Sequence, residues 1–197
     1  MKRHAGFPPV SSGRAIVLIL GSLPGRKSLE VGEYYANPRN DFWRMMSRLL
    51  GANPELAYAK RKRILARNGI ALWDVLAAAQ RQGSLDSSIV GSSEVPNDFR
   101  KFLKSHRSIR LVCFNGKKAS DLYRRRVLPT LNGHFSAIRY ETLPSTSAAH
   151  ASMSFDRKLS RWSIVRDELG FNNQLQRFET DKVPASKSQR PAAEPRR

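Results

Sequence analysis

Residues 15–21 read AIVLILG, six apolar residues with no polar interruption, closed by a glycine. A strand with one face in water alternates apolar and polar side chains, so an unbroken run of this length fits a strand buried on both faces. A sheet covered on both faces is the parallel sheet of an α/β fold, whose strands are joined by helices. This segment therefore sets what the rest of the chain must supply: more apolar strands, alternating with amphipathic helices.

The chain supplies them in order. NDFWRMMSRLLG (40–51) places Phe42, Trp43, Met46, Leu49 and Leu50 at helical spacing, with Gly51 as a stop. ELAYAKRKRILARNG (55–69) predicts a second helix, and IALWDVL (70–76) a second strand running into a loop. NDFRKFLKSH (97–106) reads as a helix capped by Asn97, IRLVCFNG (109–116) as a third strand and GKKASDLYRRRVLPTL (116–131) as a helix. SAIRYETLP (136–144) gives a fourth strand and FDRKLSRWSIVRDELG (155–170) a closing helix. The expected fold is α/β, three layers around a central four-stranded, mostly parallel sheet. One domain is expected over 13–171, after a flexible N-terminus at 1–12. The stretch 172–197, rich in Pro, Ala, Ser, Lys and Arg, reads as a disordered basic tail.

Charge narrows the partner. The formal net charge is +19, of which the tail contributes +3, leaving +16 on the part that folds. Such an excess opposes compaction unless a polyanion neutralises it, and nucleic acid leads among polyanions. A membrane is not expected as a partner: there is no apolar run long enough to span a bilayer, no amphipathic anchor and no signal peptide at MKRHAGFPP. The single cysteine, Cys113, rules out a disulfide framework, a four-cysteine zinc site and a four-cysteine iron–sulfur cluster. Its strand context makes it a buried, inert thiol, and the expected compartment is the cytoplasm, next to the nucleoid. No metal or cofactor is expected.

In an open parallel sheet the ligand crevice lies beyond the carboxyl ends of the strands. Four segments end there: GSLPG (21–25), WDVL (73–76), FNGKK (114–118) and LPSTSAAHA (143–151). GSLPG has neither the Walker nor the dinucleotide-fingerprint spacing, and Gly with Pro also reads as a simple turn. FNGKK offers Asn115, Gly116 and Lys117 at a helix start as a phosphate seat, although a solvated helix end looks the same. Ser145, Thr146 and Ser147 give short hydroxyl donors suited to a DNA phosphate, and of the histidines only His150 falls in such a loop. Phe42 and Trp43 read as core. Tyr34 and Tyr35, in a segment without helical period, offer at least one ring as a stacking surface.

Together, GSLPGRKSLEVGEYYANPRNDFW, ALWDVL with GSLDSSI, FNGKKA, and LPSTSAAHA followed by FDRKLSRW resemble the hypoxanthine-DNA glycosylase group of the uracil-DNA glycosylase superfamily. The likeness runs from about residue 15 to about 169 with its motifs in order. A more distant likeness joins it to the mismatch-specific uracil and thymine glycosylases. The resemblance implies a four-stranded parallel sheet with flanking helices and excision of a deaminated base from DNA; the expected partner is single- or double-stranded DNA and the expected assembly a monomer. It also implies roles. The working asparagine of the group corresponds to Asn40, and the base-reading position after the second strand corresponds to Asp74, whose plainer reading is a cap for a helix over VLAAAQ. Three positions depart from relatives: Leu23 stands where the mismatch-specific enzymes hold water with Asn, Leu143 where the uracil-specific enzymes place His, and Asn37 where the group has His.

Chemistry remains possible without those groups. Glycosidic hydrolysis passes through an oxocarbenium-like sugar, so a neutral amide such as Asn40 suffices to orient water. Backbone N–H groups of Ser22 or Leu23 can stabilise charge on the leaving base, with Gly21 and Gly25 permitting close approach. Tyr35 would stack on the extruded base, and the small Ala148 and Ala149 predict weak plugging of the vacated duplex stack. A non-catalytic binder of damaged or abasic DNA fits the charge as well. Hydrolysis of free nucleosides does not call for +16.

Overall fold

The computed structural model describes residues 3–51, 53, 55–82, 88–131, 133, 135–150 and 152–170. Its centre is a four-stranded sheet of β2 (Val17–Gly21), β3 (Ile70–Asp74), β6 (Leu111–Asn115) and β7 (Arg139–Leu143), ordered β3-β2-β6-β7 and parallel throughout. Side chains of β2 alternate between two cores, as the pleat requires. Leu18 and Leu20 join Trp73, Val112 and Phe114 under α4 (Phe99–Ser105) and α5 (Lys117–Arg126). Val17 and Ile19 join Leu72, Leu111 and Cys113 under α2 (Phe42–Leu50), α3 (Tyr58–Arg67) and α6 (Phe155–Glu168). The central strand β2 is buried along its whole length, the burial that an unbroken apolar run anticipates.

Register brings the strand ends level. Gly21 pairs with Asp74, and Asn115 with Leu143, so four residues mark one carboxyl edge of the sheet. Behind β2 the chain forms a six-residue helix α1 (Arg26–Val31), which Gly32 ends at φ 71°, and Gly51 likewise ends α2 at φ 67°.

Three expectations need correction. VLAAAQ is not a helix, so Asp74 caps none: Leu76–Gln80 is strand β4, between β1 (Arg3–Ala5) and β5 (Val95–Pro96) in a small antiparallel sheet. Tertiary pairing here overrides the helical preference of three alanines. The N-terminal stretch 1–12, expected to be free of the domain, is tied to it over its described part. Val10 exchanges two hydrogen bonds with Leu72, at 2.9 and 2.8 Å, and so covers the open edge of β3, while the Trp73 indole donates to the Phe7 carbonyl at 3.0 Å. Asp98, not Asn97, caps α4, its carboxylate accepting the Lys101 N–H at 2.9 Å. The tail at 172–197 lies outside the described residues.

Candidate active site

The elements expected to face the base are built from two adjacent strand ends. The Gly21 and Ser22 carbonyls accept the N–H groups of Val75 and Leu76 at 2.8 and 3.1 Å, and the Asn97 side-chain amide donates to the Asp74 carbonyl at 2.8 Å. Beneath the GSLPG loop the buried Arg81 donates to the Pro24 carbonyl. These ties fix the loop through its carbonyls. Among the described residues, the backbone N–H groups of the buried Ser22 and Leu23 make no turn or loop hydrogen bond. A rigid loop with uncommitted donors is the arrangement that stabilises developing negative charge.

Asp74 is 3% exposed and its carboxylate lies against the Gly21 backbone: a Cβ at position 21 would overlap Oδ1 and stand 3.1 Å from the Tyr35 hydroxyl. Gly21 is thus required for close approach. Gly25 is not required by the protein itself, since a Cβ there meets nothing within 4 Å. Tyr35 adopts φ 54°, a left-handed conformation that bulky residues rarely hold, and its ring stacks on Phe42 with centroids 4.0 Å apart and planes at 20°. One ring face therefore belongs to Phe42. Tyr34 is core: its carbonyl accepts the Trp43 indole N–H at 2.9 Å, and burial first, then the nearby Asp74 charge, pushes its hydroxyl pKa well above the ordinary tyrosine value. Cys113 is pushed up to about 12, chiefly by burial, which fits an inert thiol.

Asn40 is half-buried at the mouth of α2. Its Oδ1 accepts the Phe42 N–H at 3.0 Å and its backbone N–H donates to the Asn37 carbonyl at 2.8 Å. The side chain therefore does stabilise the helix start, yet a carbonyl oxygen has two acceptor positions, so this bond leaves capacity for a water. Asn37 is exposed, its Oδ1 accepting the Arg39 N–H.

The phosphate seat needs revision. Thr146 is fully buried and reciprocally bonded to Asn115: Asn115 Nδ2 donates to Thr146 Oγ1 and the Thr146 N–H donates to Asn115 Oδ1, both at 2.8 Å. The Thr146 carbonyl then accepts the Asp41 N–H at 2.9 Å. The two side chains hold the loop after β7 to β6, and the Thr146 carbonyl holds it to the start of α2; Thr146 has no exposed surface with which to meet a phosphate, whereas Asn115 is half-buried. Ser145 and Ser147 are half-buried and shape the same loop, accepting the N–H groups of Ser147 and Ala149 at 3.2 and 3.3 Å, and the His150 N–H closes onto the Ser147 carbonyl. Gly116, at φ 95°, lets the Ser145 side chain pack so closely that a Cβ would stand 2.9 Å from it. Lys117 remains outward, its side chain 84% exposed and paired at i,i+4 with Asp121.

Against known proteins, the model of the uracil DNA glycosylase superfamily matches residues 8–169. The chain belongs to that superfamily. It is 42% identical over 163 residues to a hypoxanthine DNA glycosylase of Methanosarcina acetivorans, covering 81% of this chain and 96% of that one. It is 39% identical over 166 residues to a hypoxanthine DNA glycosylase of Methanosarcina barkeri, covering 83% and 97%. An NMR solution structure of a uracil DNA glycosylase candidate from M. acetivorans superposes with a TM-score of 0.72 at 39% identity, covering 86% of this chain and 99% of that one.

The chain is thus a DNA glycosylase, a hydrolase of the bond between base and deoxyribose, and DNA is its partner. Sequence reasoning missed several of the residues that build its site. Arg81 and Asn97 sit in segments with no motif, and Lys158 lies among the solvent-type charges of FDRKLSRW but is 3% exposed. Phe42 was legible as core, though not as the surface on which Tyr35 rests. Only the pairing of distant segments reveals these contacts.

Proposed function

We propose that this DNA glycosylase excises hypoxanthine and uracil extruded from DNA, acting as a monomer. The observation that carries the reading is the buried Asp74 carboxylate at the end of β3, lying against Gly21 and near the Tyr35 hydroxyl. Hypoxanthine presents N1–H beside O6 and uracil N3–H beside O4, whereas cytosine and adenine reverse the donor–acceptor order. An ionised carboxylate accepts the ring N–H and rejects the reversed pattern, while the N–H of Ser22 or Leu23 serves the base carbonyl. The names of the two Methanosarcina relatives support hypoxanthine within this pair.

Asn40 orients the attacking water, and the sugar cation is partly stabilised by flanking DNA phosphates. Extrusion costs a few kcal/mol, least at a mispair, and Lys117, Ser145, Ser147 and His150 offset part of it by holding the backbone. The test is incubation with labelled single strands and duplexes containing hypoxanthine, uracil, xanthine or a thymine mismatch, followed by alkaline cleavage of abasic sites. Cleavage at hypoxanthine and uracil supports the reading. Cleavage confined to xanthine or thymine overturns the base assignment, and tight binding with no cleavage of any substrate favours a damaged-DNA binder.

A further inference from the structure

Beside Asn40 lies a buried charge that the mechanism above does not use. Lys158, one turn into α6, is 3% exposed, and its Nζ stands 3.8 Å from Oδ2 of Asp41, the residue between Asn40 and Phe42. We propose that Lys158 is a positioning residue for Asn40, acting through Asp41; the inference rests on the assignment of Asn40 as the water-orienting group.

A buried ammonium carries a large desolvation penalty, and well-packed apolar residues of similar volume in place of such a pair are often neutral or stabilising. Stability alone therefore does not account for a charge on the stretch of α6 that also carries the core residue Trp162. Helix capping does not account for the Asp41 carboxylate either. Asp41 precedes α2 at φ −72° and ψ −3°, yet its side chain makes no capping hydrogen bond. The carboxylate instead meets Lys158 on one oxygen and, at 3.9 Å, the exposed Arg44 on the other.

Asp41 is consequently held through both its backbone and its side chain. Its N–H donates to the Thr146 carbonyl at 2.9 Å, its carbonyl accepts the Met45 N–H at 2.7 Å, and its carboxylate faces Lys158. Thr146 is itself clamped by Asn115. Three separate elements, the end of β6, the loop after β7 and the first turn of α6, thus converge on the residue next to Asn40. The Asn40 side chain then bonds to the N–H on the far side of Asp41, that of Phe42, so a rotation of Asp41 carries the amide with it. A water-orienting group acts through its angle, and a displacement of about 1 Å costs on the order of 10²-fold in rate. An ion pair between the buried Lys158 and the half-buried Asp41 that prevents such rotation serves geometry.

The test compares Lys158→Met, Lys158→Arg and Asn40→Ala with the native protein, and adds Lys158→Met in the Asn40→Ala background. Single-turnover excision from a hypoxanthine duplex, affinity for abasic product DNA and melting temperature are measured on each. Lys158→Met is expected to slow excision by about 10- to 100-fold with affinity unchanged, Lys158→Arg to recover most of the loss, and the second change to add nothing once Asn40 is gone. A lowered melting temperature with native excision per folded molecule overturns the inference, as does the same factor of loss in the Asn40→Ala background. If Lys158→Met does not fold, Asp41→Asn with Lys158→Met removes both charges of the pair and carries the same expectations. Should Asn40→Ala itself excise at the native rate, the assignment of Asn40 has failed; a silent Lys158→Met beside a crippled Asn40→Ala overturns only the proposal about Lys158.

Discussion

Replacing Gly21 by alanine tests how the base-reading edge is assembled. The new Cβ overlaps Asp74 Oδ1 and stands 3.1 Å from the Tyr35 hydroxyl, so it presses on both side chains at once. To reach ordinary contact the carboxylate must retreat by about 1 Å. The strand itself has little freedom, since Gly21 pairs with Asp74 and its carbonyl holds Val75. Overpacking of this kind costs about 1–3 kcal/mol, and for a chain of this size each kcal/mol lowers the melting temperature by roughly 2–4 °C. A base-reading group moved about 1 Å loses on the order of 10²-fold in rate. Gly13→Ala is the control, because a Cβ there meets nothing within 4 Å. Single-turnover excision and thermal melting of both variants decide the matter: Gly21→Ala should be folded, modestly less stable and about 10²-fold slower, and Gly13→Ala native in both. A Gly21→Ala protein with native excision would refute the placement of Asp74 against the substrate base.

Tyr35→Ala removes a half-buried ring stacked on Phe42, so stability should fall by more than the about 0.5–1.5 kcal/mol of the stack alone and affinity for an extruded base by roughly 1–3 kcal/mol; a loss of stability alone in melting and binding titrations assigns Tyr35 to packing. Thr146→Val deletes the acceptor of the Asn115 amide, which should cost about 1–3 kcal/mol in denaturant unfolding, while affinity for undamaged DNA stays native if Thr146 is a brace and not a phosphate ligand. Affinity for undamaged DNA should fall steeply with salt, and Lys117→Ala should reduce the slope of that dependence by about 1, measured by titration at several ionic strengths; a flat response removes the electrostatic basis of DNA binding.

What could be read from the chain alone follows from which signals are local. AIVLILG revealed the buried central strand, because burial on both faces leaves no alternation to misread. The carboxyl ends of the strands were equally legible, and Gly21, Asp74 and Asn115 do lie level at one edge. VLAAAQ misled because alanine-rich segments favour helix in isolation, whereas this one is held by strands on both sides. The N-terminal stretch looked structureless because its order comes from Leu72, Trp73 and Ala77, some 60 to 70 positions away. Thr146 looked like a phosphate ligand because a hydroxyl in a loop does not reveal which way it faces. Lys158 carried no signal: a lysine one turn into a charged helix is ordinarily solvated, and only the packing of α6 on α2 places its ammonium beside Asp41.

The central claim is that Asn40 orients the water that hydrolyses the glycosidic bond, beyond the bond it gives to the start of α2. Asn40→Ala separates these roles when its single-turnover excision rate is measured on a hypoxanthine duplex beside its melting temperature and its affinity for abasic DNA. Loss of the Phe42 N–H partner should cost about 1 kcal/mol of stability. Loss of the oriented water should lower excision by about 10²–10⁴-fold with affinity nearly unchanged. A folded Asn40→Ala protein that excises hypoxanthine at the native rate, less stable and nothing more, would contradict the account.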